Sequence, residues 1–262
     1  MAQAPSRLIV DMREDGVVVA TLNRPEAKNA VSFEMWREFA DLLDTLEHAT
    51  PARALVLTGA DGFFSIGGDL KIPPAAGEGA LAPATRLEWG QRSITRLARL
   101  PIPTIAAIEG GAYGVGWSIA LACDMIIAAE DVRFGAPFVD VGLAPDGGAA
   151  WFLTRRIGRH RAADLLLSGR SVEAHEALSL GLISRTSAPG AALSDALALA
   201  IGLGKGNRQA VELTKRLLHD AEAGTLESCH ALELAYCAIL QGGEELARAR
   251  EAFAAARAKT KS

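Results

Sequence analysis

Cysteine is scarce in this sequence, and its three residues do not have the spacing of metal ligands. Cys123, Cys229 and Cys237 lie in apolar segments with helical periodicity, which favours buried thiols in a reducing compartment. The five histidines are scattered among charged segments that are predicted to be helical. We therefore expect neither a disulfide framework nor a metal site.

A long hydrophobic run is also lacking. The longest apolar stretch, residues 119–129, is interrupted by Asp124 and is shorter than the roughly 20 residues that span a bilayer. The first residues do not contain the apolar core of a signal peptide. The sequence therefore predicts a cytoplasmic protein without a membrane anchor.

Charge of one sign is not in large excess, because 27 Lys and Arg stand against 31 Asp and Glu, a net charge of −4. This balance argues against a general attraction to nucleic acid or to anionic membranes. An anionic ligand would need a local basic site. Half of the 262 residues are hydrophobic, so the chain can form a sizeable core, and its length fits one α/β domain with an appendage.

The most informative segment, residues 107–124, is predicted to form a strand, a glycine-rich turn and a helix. Four glycines fall within residues 110–116, and glycine allows a sharp turn and a close approach to a ligand. The N–H groups that begin the helix would favour negative charge. No phosphate-loop lysine follows, and the spacing is not that of a dinucleotide fingerprint. The segment indicates either an oxyanion site used during a reaction or a turn that only packs a helix on a sheet.

Three further motifs favour the oxyanion site. Residues 62–70 (GFFSIGGDL) follow the strand-like segment 54–58, residues 23–30 read NRPEAKNA, and residues 142–148 read GLAPDGG. In order and spacing, the four motifs resemble the enoyl-CoA hydratase/isomerase (crotonase) family, and the resemblance covers essentially the whole chain. It is closer to the isomerase-type members that use a single aspartate. The resemblance implies an α/β fold, a crotonase-like spiral of ββα units, with a C-terminal helical oligomerisation region.

The organisation along the chain follows from periodicity and turn residues. A hairpin of strands 8–12 and 17–22 is expected around Asp15-Gly16, and Ser32 is expected to cap a helix. Further strands are expected at residues 54–58, 104–108, 125–129 and 132–134. A further helix is expected from a capping box at Thr85 to about Leu100. Three more are expected near residues 147–157, 161–167 and 172–180, and the last four at about 190–203, 207–222, 226–241 and 243–258.

Residues 1–195 are accordingly assigned to an acyl-CoA-binding spiral core, and residues 196–262 to a C-terminal helical trimerisation region. No strand of the core is left for the last helices to cover, so part of this region is expected to contact neighbouring subunits. The resemblance implies a homotrimer or a dimer of trimers. Residues 72–83 are expected to form an irregular loop.

The resemblance also implies the binding groups. By position, the backbone N–H groups of Gly68 and Val115 match the donors that hold the enolate oxygen of a coenzyme A thioester. Coenzyme A belongs to the substrate, and no permanently bound cofactor is implied. Arg24 and Lys28 are placed to meet its phosphates, although a solvated surface pair would have the same sequence. Adenine and pantetheine would contact Ala30, Ile66, Gly67, Gly68, Asp69 and Leu70, and the C-terminal helix would add Phe253.

The proton-transfer residue is where this chain departs from the hydratases. Their two glutamates match Ser118 and Phe138, and neither a hydroxyl nor a phenyl ring is a general base near neutral pH. Asp146 matches the acid of family members that shift double bonds, and an apolar pocket would raise its pKa. A plain helix N-cap is the alternative role for Asp146. Asp140 is the second candidate for the proton-transfer residue, but a structural salt bridge is its favoured role.

These residues predict an acyl-CoA isomerase that shifts a double bond, or opens a strained ring, through an enolate held by Gly68 and Val115. Three alternatives stay open at this point. The chain could be a hydratase-like enzyme, an aryl- or acyl-CoA dehalogenase or thioesterase with Asp146 as nucleophile or base, or an acyl-CoA-binding protein without catalysis.

Overall fold

The computed structural model describes residues 6–48, 51–70 and 82–243 together with Leu246, Arg248 and Arg250, and of residues 82–86 it describes the backbone only. The chain forms two compact units, Met1–Gly204 and Lys205–Ser262. In the described ranges, no helix combines the length and the apolar character needed to cross a membrane.

A six-stranded sheet is the frame of the first unit. Its strands are β1 (Leu8–Met12), β2 (Val17–Leu22), β3 (Ala54–Gly59), β4 (Thr104–Ile108), β6 (Met125–Ala129) and β9 (Arg185–Ser187), hydrogen-bonded in that order. β1 and β2 form the predicted antiparallel hairpin, and the other pairs are parallel. β4 is buried at every position, as a parallel strand covered on both faces should be.

A smaller sheet joins β5 (Gly111–Tyr113), β7 (Arg133–Gly135) and β8 (Ser171–Glu173). β5 pairs in parallel with β7, and β7 is antiparallel to β8. The chain therefore passes twice from a strand of the large sheet to one of the small sheet and then into a helix. These strand-strand-helix units match the predicted pattern, with β7 one residue later than expected.

The helices of the first unit are α1 (Phe33–Glu47), α2 (Ala82–Arg99), α3 (Gly114–Leu121), α4 (Ala149–Ser168), α5 (Ala174–Ser179) and α6 (Ala192–Gly204). Ser32 caps α1 as predicted, because its side chain accepts a hydrogen bond from the N–H of Met35. The capping box at Thr85 was wrong, since α2 already begins at Ala82. The two helices expected near 147–157 and 161–167 are confirmed as the two parts of α4, because the backbone of Gly158 is not helical (φ 76°, ψ 160°) and kinks the segment there.

Most of residues 72–83 lies outside the described residues, and the last two of them begin α2. The helix expected at 243–258 is likewise largely outside the described part of the chain.

The hydrophobic core occupies both faces of the large sheet. One face packs with α1 to α5 around residues such as Leu57, Phe64 and Trp117. The other face, which includes Val19, Val56 and Ile105, packs against Ala192, Ala196 and Ala200 of α6. The expectation that no core strand is left for the last helices to cover was therefore wrong for α6. Small residues on one side of α6 let it lie close to the sheet.

The second unit contains α7 (Arg208–Ala221) and α8 (Leu226–Gln241), which pack against each other. Asn207 caps α7 through the N–H of Ala210, and Thr225 and Ser228 form a capping box for α8. None of the residues of α8 is buried, and Leu234 is 76% exposed. A trimerisation role for this region stays a prediction.

Candidate active site

The two glycine-rich loops that the sequence singled out are hydrogen-bonded to each other. The N–H of Ser65 donates to the carbonyl of Gly111 at 3.2 Å, and the N–H of Tyr113 donates to the carbonyl of Ser65 at 2.9 Å. Ser65 and Ala112 thereby form a parallel bridge. This bridge brings the loop after β3 beside the N-terminus of α3.

The loop after β3 is held on its other side by Val31. Its N–H donates to the carbonyl of Gly67 at 2.7 Å, and its carbonyl accepts from the N–H of Asp69 at 3.1 Å. Because this parallel bridge uses the residues on either side of Gly68, the N–H of Gly68 takes no part in it. That N–H group is available to a ligand.

The second donor lies at the start of α3. Val115 is the second residue of the helix, so its N–H belongs to the group that has no acceptor within the helix. A Cβ on Gly68 would lie 3.9 Å from Cγ1 of Val115. The two N–H groups that the sequence predicted as an oxyanion site thus belong to adjacent residues of one cavity wall.

Close packing between α3 and the first loop depends on Gly116. A Cβ at that position would lie 2.6 Å from both Cβ and Oγ of Ser65, well inside van der Waals contact. The Ser65 hydroxyl is itself fixed, because it donates to the carbonyl of Asn29 at 2.8 Å and accepts from the N–H of Gly67 at 3.1 Å. A larger residue at 116 would therefore displace the loop that carries Gly68.

Asp146 lines the same cavity as Gly68 and Val115. It is half-buried, and no described residue donates a hydrogen bond to its buried Oδ1. Burial raises the pKa of the Asp146 carboxyl to about 6, because desolvation disfavours the charged form. Asp146 does not cap α4: the residue before that helix is Gly148, with no side-chain cap. The helix-cap interpretation of Asp146 was therefore wrong.

The positions that match the two hydratase glutamates hold no carboxylate. Ser118 is fully buried on α3, and its hydroxyl donates to the carbonyl of Asp146 at 3.0 Å. Phe138 is buried with its ring beside Gly114. Neither side chain can act as a base on a substrate.

Arg24 and Asp69 form an ion pair at 2.9 Å, and only 14% and 10% of their side chains are exposed. The Arg24 guanidinium also donates to the carbonyl of Ala30 at 2.8 Å. Asp69 and Arg24 therefore stabilise the loop together. Lys28 is exposed instead, with its Nζ 5.5 Å from the centre of the Phe63 ring.

The remaining predicted binding residues differ in their exposure to solvent. Ile66 and Leu70 are 43% and 68% exposed beside the cavity loop, whereas Ala30 and Gly67 are buried. Several main-chain groups of these loops are already paired, since the N–H of Ile66 donates to the carbonyl of Lys28. Phe253 lies outside the described residues.

The cavity has a volume of about 340 Å³, and part of its wall was not predicted from the sequence. Besides the groups above, its lining includes Phe33, Trp36, Leu87, Gly90, Gln91 and Leu143. A Cβ on Gly90 would lie 3.2 Å from the Trp36 indole, so this glycine makes room for the ring between α1 and α2. Phe33 and Trp36 were missed because the apolar face of α1 serves the core and the cavity at once. The sequence signal that could have indicated this wall was Gly90, an isolated glycine within the helical pattern of α2.

Two other acids are placed away from the chemistry. Both carboxylate oxygens of Glu109 accept main-chain hydrogen bonds at the start of α6, from Gly190 at 3.1 Å and Ala192 at 2.9 Å. Asp140 is exposed, lies against Gly169 and has no ion pair within the described ranges, so the salt bridge expected for it was not found. The described residues also contain no His, Cys, Asp and Glu cluster that could hold a metal ion.

Comparison with known proteins shows the family. A sequence model of the enoyl-CoA hydratase/isomerase family matches residues 12–259. The 2,3-dehydroadipyl-CoA hydratase of Escherichia coli (strain K12) is 32% identical over 249 residues, 95% of each chain. The 1,2-epoxyphenylacetyl-CoA isomerase of the same strain is 35% identical over 226 residues, 85% of this chain and 86% of the isomerase.

A solved structure gives the same result for the fold. The crystal structure of an enoyl-CoA hydratase from Polaromonas sp. JS666 matches with a TM-score of 0.86 at 33% identity, covering 92% of this chain and 95% of that one. The chain therefore belongs to the enoyl-CoA hydratase/isomerase family, and the predicted crotonase-type α/β fold is confirmed. Its relatives include both hydratases and an isomerase, so similarity alone does not separate these activities.

Proposed function

We propose that this chain is an acyl-CoA isomerase that shifts a double bond, or opens a strained ring, through a thioester enolate. One observation carries the proposal: the Asp146 carboxyl shares a cavity with Gly68 and Val115, and its buried Oδ1 has no partner among the described residues. Because burial raises the pKa of Asp146 to about 6, this group can both take up and release a proton near neutral pH.

The reaction follows from that arrangement. The thioester oxygen would accept hydrogen bonds from the N–H groups of Gly68 and Val115. Asp146 removes a proton from an acidic carbon of the acyl group, and the electron pair of the broken C–H bond moves towards the thioester oxygen. When the carbonyl forms again, the same proton is returned to a different carbon. Each preorganised donor contributes roughly 3 kcal/mol to the stability of the enolate-like transition state.

Coenzyme A would be bound as part of the substrate. Lys28 supports phosphate binding because its ammonium group is exposed at the loop, whereas Arg24 supports it indirectly by holding Asp69 and Ala30 in place. The main chain around Gly68 would contact pantetheine. Phe33, Trp36 and Leu143 line the same cavity as Asp146, and this apolar wall supports an acyl group with a hydrocarbon part.

Hydration is less well supported, because the only other acid in the described lining, Asp69, is ion-paired with Arg24. Dehalogenation or thioester hydrolysis would use Asp146 differently, as a nucleophile or as a base for water. Binding without turnover is the remaining alternative. Isomerisation, hydration and thioester hydrolysis give three different products, and binding alone gives none, so one experiment separates these four cases.

The purified protein should be incubated with 2-enoyl- and 3-enoyl-CoA thioesters carrying aliphatic or phenyl groups, and the products separated by liquid chromatography and identified by mass spectrometry. We expect interconversion of positional isomers without a change in mass. A product heavier by one water would indicate a hydratase, and free coenzyme A would indicate hydrolysis. Binding of all substrates without turnover would indicate a binding protein.

Asp146→Asn is expected to lower the isomerisation rate by roughly 10²- to 10⁴-fold, because the amide cannot accept the proton. Asp140→Asn is the matched control, since that carboxylate is exposed in the short helical turn Val139–Val141 of the preceding loop. An unchanged rate in the Asp146 variant would contradict the proposed mechanism.

A further inference from the structure

The hydroxyl of Ser118 makes a hydrogen bond that links α3 to the main chain of Asp146. Ser118 is fully buried, and its Oγ lies 3.0 Å from the carbonyl oxygen of Asp146 and 3.4 Å from that of Gly114, one turn back in its own helix. A hydroxyl has one hydrogen to donate, and the shorter contact is the better bond. The side chain therefore bonds to the loop that carries the acid.

The same carbonyl oxygen receives a second hydrogen bond, from the N–H of Ala149 at 3.1 Å. Two donors from different helices, α3 and α4, fix the plane of the peptide group that follows Asp146. The Asp146 carboxyl group is not fixed by hydrogen bonds in this way, because no described residue donates a hydrogen bond to its buried Oδ1. The direction of the carboxyl group is therefore set through the main chain.

Packing reinforces this hold. Gly147 has φ +59°, and a Cβ on it would lie 2.7 Å from Cβ of Ser118, 2.9 Å from Cδ1 of Ile94 and 3.0 Å from Cγ2 of Val115. The chain after Asp146 thus lies in direct contact with α3. A side chain longer than serine at position 118 would need the space that this loop occupies.

The α3 helix contributes one half of the proposed site and is hydrogen-bonded to the other half. Val115 offers its N–H to the thioester oxygen, and Ser118 follows three residues later, on the same face of the helix. We propose that Ser118 is a positioning residue that acts through the Asp146 main chain and sets the distance between the proton-transferring carboxyl and the oxyanion site. This inference rests on the proposed isomerase function for its kinetic consequences, but the hold on the Asp146 carboxyl can be measured without turnover.

Ser118→Ala and Ser118→Cys test the inference in the full-length protein. Alanine removes the donor without adding volume, and cysteine replaces it with a weak donor on a somewhat larger atom. Both variants are expected to lower kcat by roughly ten- to hundredfold with KM changed less than about twofold, because a small misplacement affects the transition state more than binding. The acidic limb of the pH–rate profile is expected to move to lower pH as the carboxyl gains access to water.

A second readout does not depend on activity. The pKa of the Asp146 carboxyl can be followed by NMR of protein labelled with ¹³C at aspartate carboxyls, with Asp146→Asn assigning the signal. We expect both Ser118 variants to lower this pKa. Ser187→Ala is the matched control, since it removes another buried hydroxyl hydrogen bond, to Asp195, away from the cavity.

The outcomes are distinct. If the Ser118 variants lose stability as Ser187→Ala does, but keep the wild-type kcat, pH profile and Asp146 pKa, Ser118 is merely structural and the inference is wrong. If the wild type shows no isomerisation, the proposed function fails, and the NMR titration still decides whether Ser118 positions Asp146.

Discussion

Asp146 is the residue at which function and stability conflict. An aspartate whose buried oxygen has no hydrogen-bond partner destabilises the charged form of the folded protein. The neighbouring loop shows the opposite arrangement, because the Asp69 carboxylate, which is 10% exposed, is ion-paired with Arg24. A carboxylate held in place for structural reasons acquires partners, whereas one that exchanges protons with a substrate must stay accessible to it.

This difference predicts how stability depends on pH. Folding raises the pKa of Asp146 from 3.8 to about 6, so the folded state binds this proton more tightly than the unfolded state. The resulting stabilisation is complete below pH 3.8 and is lost as the pH rises through 6. Asp146→Asn, which carries no charge at either pH, is expected to raise the free energy of unfolding at pH 8 by on the order of 1–2 kcal/mol, and much less at pH 4.

Denaturant unfolding of both proteins at pH 4 and pH 8 measures the effect. The Asp140→Asn variant serves again as the control. Equal differences between Asp146→Asn and wild type at the two pH values would contradict the assignment of a raised pKa to Asp146.

At the scale of elements, the site is built by three segments that meet: the loop after β3, the N-terminus of α3 and the loop before α4. The Ser65–Ala112 bridge joins the first two, and the Ser118 hydroxyl joins the second to the third. The helix α3 is therefore the common support. Its position relative to the first loop depends on the missing Cβ of Gly116.

Gly116→Ala is expected to destabilise the protein by about 1–3 kcal/mol, because the added Cβ overlaps Ser65. It should also reduce isomerisation more than the stability loss explains, since Ser65 holds the loop with Gly68. Gly202→Ala is a suitable control: Gly202 lies exposed in α6, with nothing within 4 Å of the added Cβ. It should stabilise by roughly 0.8–1 kcal/mol through helix propensity. Thermal unfolding and turnover of folded protein at 25 °C check both expectations.

At the scale of the whole molecule, part of the apolar surface remains exposed to solvent. The two faces of the large sheet are covered within the first unit, by α1 to α5 and by α6. In the second unit, by contrast, Leu218, Leu226, Leu234 and Ile239 are all more than half exposed. Exposed leucines repeated on two adjacent helices are typical of a surface that other subunits cover.

This surface favours an assembly of several copies of the 27.5 kDa chain, and the family resemblance implies that the copies number three or six. Sedimentation equilibrium at micromolar concentration measures its mass. Leu234→Glu is expected to shift the assembly towards monomers, because it places a charge on the apolar surface, whereas Leu167→Glu, at an exposed leucine of the first unit, should leave the mass unchanged. A monomeric wild type would contradict the expectation.

The sequence by itself determined the features that depend on neighbouring residues. The β1–β2 hairpin, the Ser32 cap and β4 were predicted with their observed bounds, because turn residues, capping side chains and apolar periodicity act over a few positions. The motifs also identified the family and the segments that form the cavity, since glycines and loop acids stand out locally.

Only the tertiary structure decided which polar groups already have a partner within the protein and which are available to a substrate. The sequence leaves two roles open for Asp146, proton transfer and a helix cap, and the structure excludes the cap, because the helix begins later and the Asp146 carboxyl lies in the cavity. Arg24 reads as a phosphate ligand, but its guanidinium is engaged with Asp69. The α6 helix reads as part of an assembly region, yet it covers the sheet. The physical reason is that hydrogen-bond partners and buried faces come from residues that are far apart in the sequence. A local pattern shows which interactions a side chain can make, but not which residue it contacts.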